Sequence, residues 1–153
     1  LKGEPRGMAG GSPWPCDFGP DLSRSFRALK AWFTLQAYGT DRMGEAIAGT
    51  CALARYLEGE VGKRPAFELM APVALNIVCF RYLAAEGDVD DFNAALVAHL
   101  HEAGIAAPSL TPLRGKVAIR GAIVNHRSER RDIDAMLEGL ERLAVKRLGE
   151  ART

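Results

Sequence analysis

Val117-Ala118-Ile119-Arg120-Gly121-Ala122-Ile123-Val124 is an apolar run broken by one charge and bounded by Gly115 and Asn125. A run this short, rich in β-branched residues and stopped on each side by turn formers, is expected to be a central β-strand buried on both faces. Arg120 is its anomaly. A guanidinium keeps its charge at any ordinary pH, so a place inside an apolar strand is costly unless it meets a carboxylate or a ligand. A structural ion pair with one of the chain's acids, or an edge position reaching water, is the alternative reading of Arg120.

The segments around this strand supply the rest of the fold. Pro108 and Pro112 bracket a short edge segment. Phe67 to Met70 and Leu75 to Arg81 are two further apolar runs of strand length, joined by Ala71-Pro72-Val73-Ala74, and a hairpin is their simplest pairing. Between and around them the apolar spacing turns helical. Asp21 can cap a first helix carrying Leu22, Phe26, Leu29 and Phe33, ended at Tyr38-Gly39. Thr40 caps a second with a stripe of Met43, Ile47, Ala54, Leu57 and Val61, in which Gly44 and Gly49 suggest close packing. Asp88 to Ala103 reads as a third, with Phe92, Leu96 and Leu100, or Ala95 and His99 beside them, on one face, ended by Gly104. Ser128 caps a fourth through Ile133, Leu137, Leu140, Ala144 and Leu148. Mixed helices and strands in this order predict an α+β domain, a small, mainly antiparallel sheet with helices packed on one face.

Composition narrows the function classes. With 153 residues the chain fits one domain, and 48% hydrophobic residues, 25% charged and a net charge of +1 give no bias toward nucleic acid or a membrane surface. Cys16, Cys51 and Cys79 form no Cys-x-x-Cys pair and have no histidines at ligand spacing, so neither a disulfide frame nor a metal site is expected. Reduced thiols suggest a cytoplasmic protein. No apolar stretch is long enough to span a bilayer. Residues 1–20 are dense in Gly and Pro and read as an arm or loop, followed by the domain at 21–153. Met8-Ala9-Gly10-Gly11-Ser12 lacks the lysine of a phosphate-binding loop.

Arg24, Arg27 and Lys30 recur at spacings of three and would lie along one helical stripe beside Phe26 and Trp32, either solvated or at an interface. His126, just after the apolar strand, could titrate near neutral pH. His99 and His101 are two apart on a helix and diverge, which makes them poor joint ligands. Trp14, between Pro13 and Pro15, could dock the arm into a groove.

Two segments carry a resemblance. Asp21-Leu22-Ser23-Arg24-Ser25-Phe26-Arg27-Ala28-Leu29-Lys30-Ala31-Trp32-Phe33 and, far downstream, Val117 to Arg127 resemble the C-terminal part of the pyridoxal-phosphate-dependent amino-acid decarboxylases, the group of aromatic-amino-acid, glutamate and histidine enzymes. The resemblance implies the small C-terminal domain of such an enzyme, packed against a large cofactor-binding domain that this chain lacks, in a homodimer acting on an amino acid. It implies that Arg120 contacts the carboxylate end of the substrate, and that Arg24, Arg27 and Lys30 face the large domain or the partner subunit. Trp14 and His126 would lie at that interface or near the site. Gly121 stands where several relatives have a larger apolar residue.

The family attaches pyridoxal phosphate to a lysine preceded by histidine, whereas here His99, His101 and His126 precede Leu100, Glu102 and Arg127. The expected reading is therefore a piece of a decarboxylase with no catalytic residue and no bound cofactor of its own. A free-standing ligand-binding or regulatory module and a structural dimerisation domain are the alternatives.

Overall fold

The computed structural model describes residues 18–19, 25–84 and 87–150 and divides into two compact units, residues 1–43 and 44–153. The elements run α1 (Ala28–Gly62), β1 (Phe67–Leu69), β2 (Ile77–Tyr82), α2 (Val89–Glu102), β3 (Ser109–Leu113), β4 (Lys116–Ala122) and α3 (Arg130–Glu150). This is the expected α+β architecture.

In the first unit the helical run begins at Ala28, after a turn in which Arg27 N–H donates to the Ser25 carbonyl at 2.8 Å. Phe26 and Arg27 therefore precede the helix, a correction to the sequence reading that placed both on it; Asp21, the expected cap, lies outside the described residues. Gly39 interrupts α1 with φ 75° and ψ 164°, a left-handed φ that costs glycine nothing, so the run is two helices broken at the expected place. Trp32 and Phe33 meet edge to face at 5.1 Å, and the Arg42 guanidinium lies over the Tyr38 ring at 5.8 Å. Phe26, Trp32, Phe33 and Tyr38 are all exposed.

The second unit holds the sheet, ordered β1-β2-β4-β3 and antiparallel throughout. The predicted hairpin is β1–β2, and the strand around Arg120 is central. Val78, Phe80 and Ile119 lie on one face of this sheet against Leu57 of α1, Leu96 and Leu100 of α2, and Leu137 and Leu140 of α3. All eight are fully buried, and each such side chain contributes about 1.5–3 kcal/mol through removal from water. Phe67 contacts Phe80 and Tyr82 edge to face, at 5.8 and 5.3 Å.

Four details depart from the sequence reading. β4 is only partly buried on its second face: Ile119 and Gly121 turn toward the helices, while on the other side Ala118 is fully buried but Arg120 and Ala122 are only half-buried, and Val124, past the strand end, is exposed. Ile47 is exposed, so the stripe of α1 that reaches the core starts at Thr50 rather than Met43. A Cβ placed on Gly44 or Gly49 would meet nothing within 4 Å, so neither marks close packing. α3 opens at Arg130, two residues past Ser128, with the Asp132 carboxylate accepting from Glu129 N–H at 2.8 Å where a Ser128 cap was expected. By contrast Asp88 caps α2 as anticipated, its carboxylate accepting from Asp90 and Asp91 N–H at 2.8 and 3.2 Å.

Candidate functional site

Register places the side chains around Arg120. It pairs with Cys79 on β2 and with Ser109 on β3, so these three share the sheet face opposite Phe80 and Ile119. Its neighbours two residues away along β4 are Ala118 and Ala122. Arg120 is thus half-buried, with small side chains directly opposite it and two residues away along its strand.

The other arginine of this face is engaged. Arg81 pairs in register with Glu68, and its Nε donates to the Glu68 carboxylate at 2.8 Å. Beside the helices, Arg64 donates to Glu60 at 2.7 Å and lies 3.5 Å from Glu141. Among the described residues, Arg120 makes no ion pair and no side-chain hydrogen bond. The planar fork of such a guanidinium is chemically able to hold a carboxylate through two parallel bonds.

The other expected residues lie apart from one another. His126 is exposed and borders an open concavity lined by Ile47, Thr50, Cys51, Leu75, Asn76 and Val124, at the end of the sheet where β2 begins. Asn76 holds that end together, its Nδ2 donating to the Ile123 carbonyl at 3.0 Å. Arg27 and Lys30 are exposed in the first unit, and Trp14 and Arg24 lie outside the described residues. His101 Nε2 is 2.8 Å from the Pro108 carbonyl, a contact that ties the end of α2 to the start of β3. No group of three or more His, Cys, Asp or Glu among the described residues could hold a metal ion, and Cys51 and Cys79 are free thiols.

The shifted ionisations belong to the scaffold. Glu60 is held below the ordinary carboxylate range by the hydrogen bond from Lys63 and then that from Arg64. Tyr56 is pushed up, first by donating its hydroxyl to Asp134 at 2.7 Å. Burial pushes Tyr82 up, aided by Glu141.

Two features had no forecast. Asn93 is fully buried; its Oδ1 accepts from Tyr82 N–H at 2.8 Å while its Nδ2 donates to the Tyr82 and Val89 carbonyls at 2.9 and 2.7 Å. Its signal was a lone amide between Phe92 and Leu96 on a core stripe. The Glu68–Arg81 pair needed the hairpin register, which apolar runs alone leave open.

The chain is similar to known proteins in sequence and in fold. The model of the pyridoxal-dependent decarboxylase conserved domain matches residues 15–83. Tyrosine decarboxylase 4 of Petroselinum crispum is 36% identical over 139 residues, covering 86% of this chain and 27% of that protein. An aromatic-L-amino-acid decarboxylase of Bacillus atrophaeus is 34% identical, covering 82% of this chain and 27% of that one. Among solved structures, Oryza sativa TDC with PLP superposes with a TM-score of 0.75 at 26% identity, over 86% of this chain and 29% of that one. The chain therefore spans about a quarter of the length of the curated relatives it matches.

Proposed function

We propose, from the premise that this chain belongs to the pyridoxal-dependent amino-acid decarboxylase family, that it is the small C-terminal domain of an enzyme removing the α-carboxylate of an amino acid. The names of the tyrosine, tryptophan and aromatic-amino-acid relatives support an aromatic substrate. The observation that carries the reading is Arg120, unpaired among the described residues and with small side chains beside it. In this reading its guanidinium binds the substrate's carboxylate end and fixes the orientation in which the carboxylate leaves.

Pyridoxal phosphate, when bound, supplies the electron sink for the pair left behind by carbon dioxide. The chain's own residues fit the anionic end of the substrate rather than covalent attachment of that cofactor. Lys2, Lys30, Lys63, Lys116 and Lys146 follow Leu1, Leu29, Gly62, Gly115 and Val145, and none follows a histidine. The attaching lysine then belongs to the large domain, and the isolated chain is inactive.

The exposed rings of Phe26, Trp32, Phe33 and Tyr38, flanked by the cations Arg27 and Lys30, are assigned to contact with the large domain or the partner subunit of a homodimer. Trp14, Arg24 and His126 are assigned to the same interface or to the margin of the site. No helix among the described residues is long and apolar enough to cross a membrane, and the free thiols favour the cytoplasm. A stand-alone regulatory module and a dimerisation domain are not favoured, since the relatives matched over most of this chain are decarboxylases about four times its length.

The test is carbon dioxide release from the α-carboxylate of aromatic amino acids by the whole enzyme with pyridoxal phosphate. Absence of release from every amino acid tried overturns the reading. So does stoichiometric labelling of a lysine when the isolated chain is mixed with the cofactor and reduced with borohydride.

A further inference from the structure

Glu68, Arg81, Cys79 and Arg120 lie on one sheet face in adjacent strands, Glu68 opposite Arg81 and Cys79 opposite Arg120. Arg81 is therefore diagonal to Arg120, at a separation that long side chains can bridge. The two guanidiniums differ in one respect: Arg81 has a carboxylate, and Arg120 has none among the described residues. The Arg81 side chain is only 12% exposed, whereas Glu68 is 44% exposed at the rim. A cation so withdrawn from water depends on its partner, and removal of that partner leaves it seeking another anion.

We propose that Glu68 sets the charge of the ligand accepted over the small side chains around Arg120: by occupying Arg81, the neighbouring cation, it leaves Arg120 to hold a single carboxylate there, so that amino acids with uncharged side chains are admitted and dicarboxylic ones rejected. A second carboxylate arriving beside Arg120 would find Arg81 taken and would meet the repulsion of Glu68. On the other flank the diagonal neighbour of Arg120 is Ile77, opposite Ala122, which offers an apolar surface and no charge. The inference rests on Arg120 as the carboxylate site, and its test keeps the two apart.

Inhibition of the whole enzyme by glutarate and by 3-phenylpropanoate provides the readout, as the ratio of their inhibition constants. Glu68→Gln should improve glutarate relative to phenylpropanoate by about tenfold, and E68Q/R81Q should return the ratio to the parent value, because the freed cation is gone. An unchanged ratio in folded E68Q, or a gain that survives in E68Q/R81Q, overturns the proposal. Should E68Q fail to fold, Arg81→Gln gives the opposite arm: with Glu68 released, glutarate should weaken relative to phenylpropanoate, and an unchanged ratio again overturns it. Arg120→Gln should weaken both inhibitors together. If both bind R120Q as well as the parent, the assignment of Arg120 itself fails, whatever the Glu68 variants show.

Discussion

Cys79 and Arg120 face each other across the β2–β4 ladder, on the side of the sheet away from Phe80 and Ile119. A cross-strand pair of this kind is unequal in reach: the thiol ends near the backbone, while the guanidinium extends well beyond it. Core packing on the other face fixes the strand beneath Arg120, since a one-residue slip would turn Ile119 outward and Arg120 inward. The buried face thereby aims the charged one.

Arg120→Lys in the whole enzyme should damage turnover far more than folding. Lysine keeps the charge but loses the planar two-pronged contact that orients a carboxylate. A hundredfold loss in kcat/KM corresponds to about 2.7 kcal/mol of transition-state stabilisation, a plausible share for one charge-assisted orienting contact. Steady-state kinetics and a thermal melt on the same preparation check this; unaltered kinetics with a lowered Tm would remove Arg120 from the site.

Asn93→Ala should cost more stability than most core truncations of similar volume. The amide is fully buried and serves Tyr82 N–H, the Tyr82 carbonyl and the Val89 carbonyl, so its loss strands backbone groups that have left water. Stranding two or three such groups costs about 2–4 kcal/mol. Urea unfolding should show a lower midpoint with an unchanged slope, and a change under 1 kcal/mol, on the order of a single exposed hydrogen bond, would refute the clasp.

The order of elements, the hairpin, the central strand and the Asp88 cap were readable in the sequence because each rests on local signals: apolar period, turn formers and a capping residue. The N-terminal boundary of α1 was not, because Phe26 and Leu29 keep helical spacing while the backbone at Ser25–Arg27 forms a turn. Ile47 kept the period of its stripe yet ends exposed, since period alone does not say where along a helix the neighbouring elements begin. Arg120 was visible as a charge among apolar residues. Its small cross-strand neighbours were hidden, because Cys79 and Ser109 join it only through long-range register. Glu68 and Asn93 escaped for the same reason: their partners lie 13 and 11 residues away, across turns that sequence pattern does not resolve.

Two glycines in helices should respond oppositely to alanine. Gly59 lies in α1 with nothing within 4 Å of an added Cβ, so Gly59→Ala should stabilise by about 0.5–1 kcal/mol through helix propensity alone. A Cβ on Gly139 would stand 2.9 Å from Leu100 Cδ1 and 3.2 Å from Ile105 Cγ2. Gly139→Ala must therefore push α3 or shift Leu100, a fully buried residue of α2, and overpacking of about 1–3 kcal/mol should exceed the propensity gain. Paired melts of the two variants would show one Tm rise and one fall; a rise in both would mean that the α2–α3 contact has slack.

The acid limb of the stability curve should carry the signature of Glu60. Its carboxylate receives Lys63 Nζ at 2.6 Å and Arg64 at 2.7 Å, and its pKa in the folded chain is lowered by these two hydrogen bonds. A group whose folded-state pKa lies below its unfolded value stabilises the fold fully above the unfolded value, which for glutamate is about 4.3. That contribution is lost as pH falls from there through the lowered folded value, because the unfolded chain takes up the proton first. Glu60→Gln removes the charge at every pH, so the stability gap between parent and variant should be constant at neutral pH and shrink below about pH 4.3. High salt should narrow the gap at neutral pH, most of all through the exposed Lys63 partner, whose side chain is 71% exposed. Urea titrations of both proteins from neutral pH into the acid range measure it directly. A gap that widens on acidification would reverse the sign and show that the fold holds Glu60 neutral rather than charged.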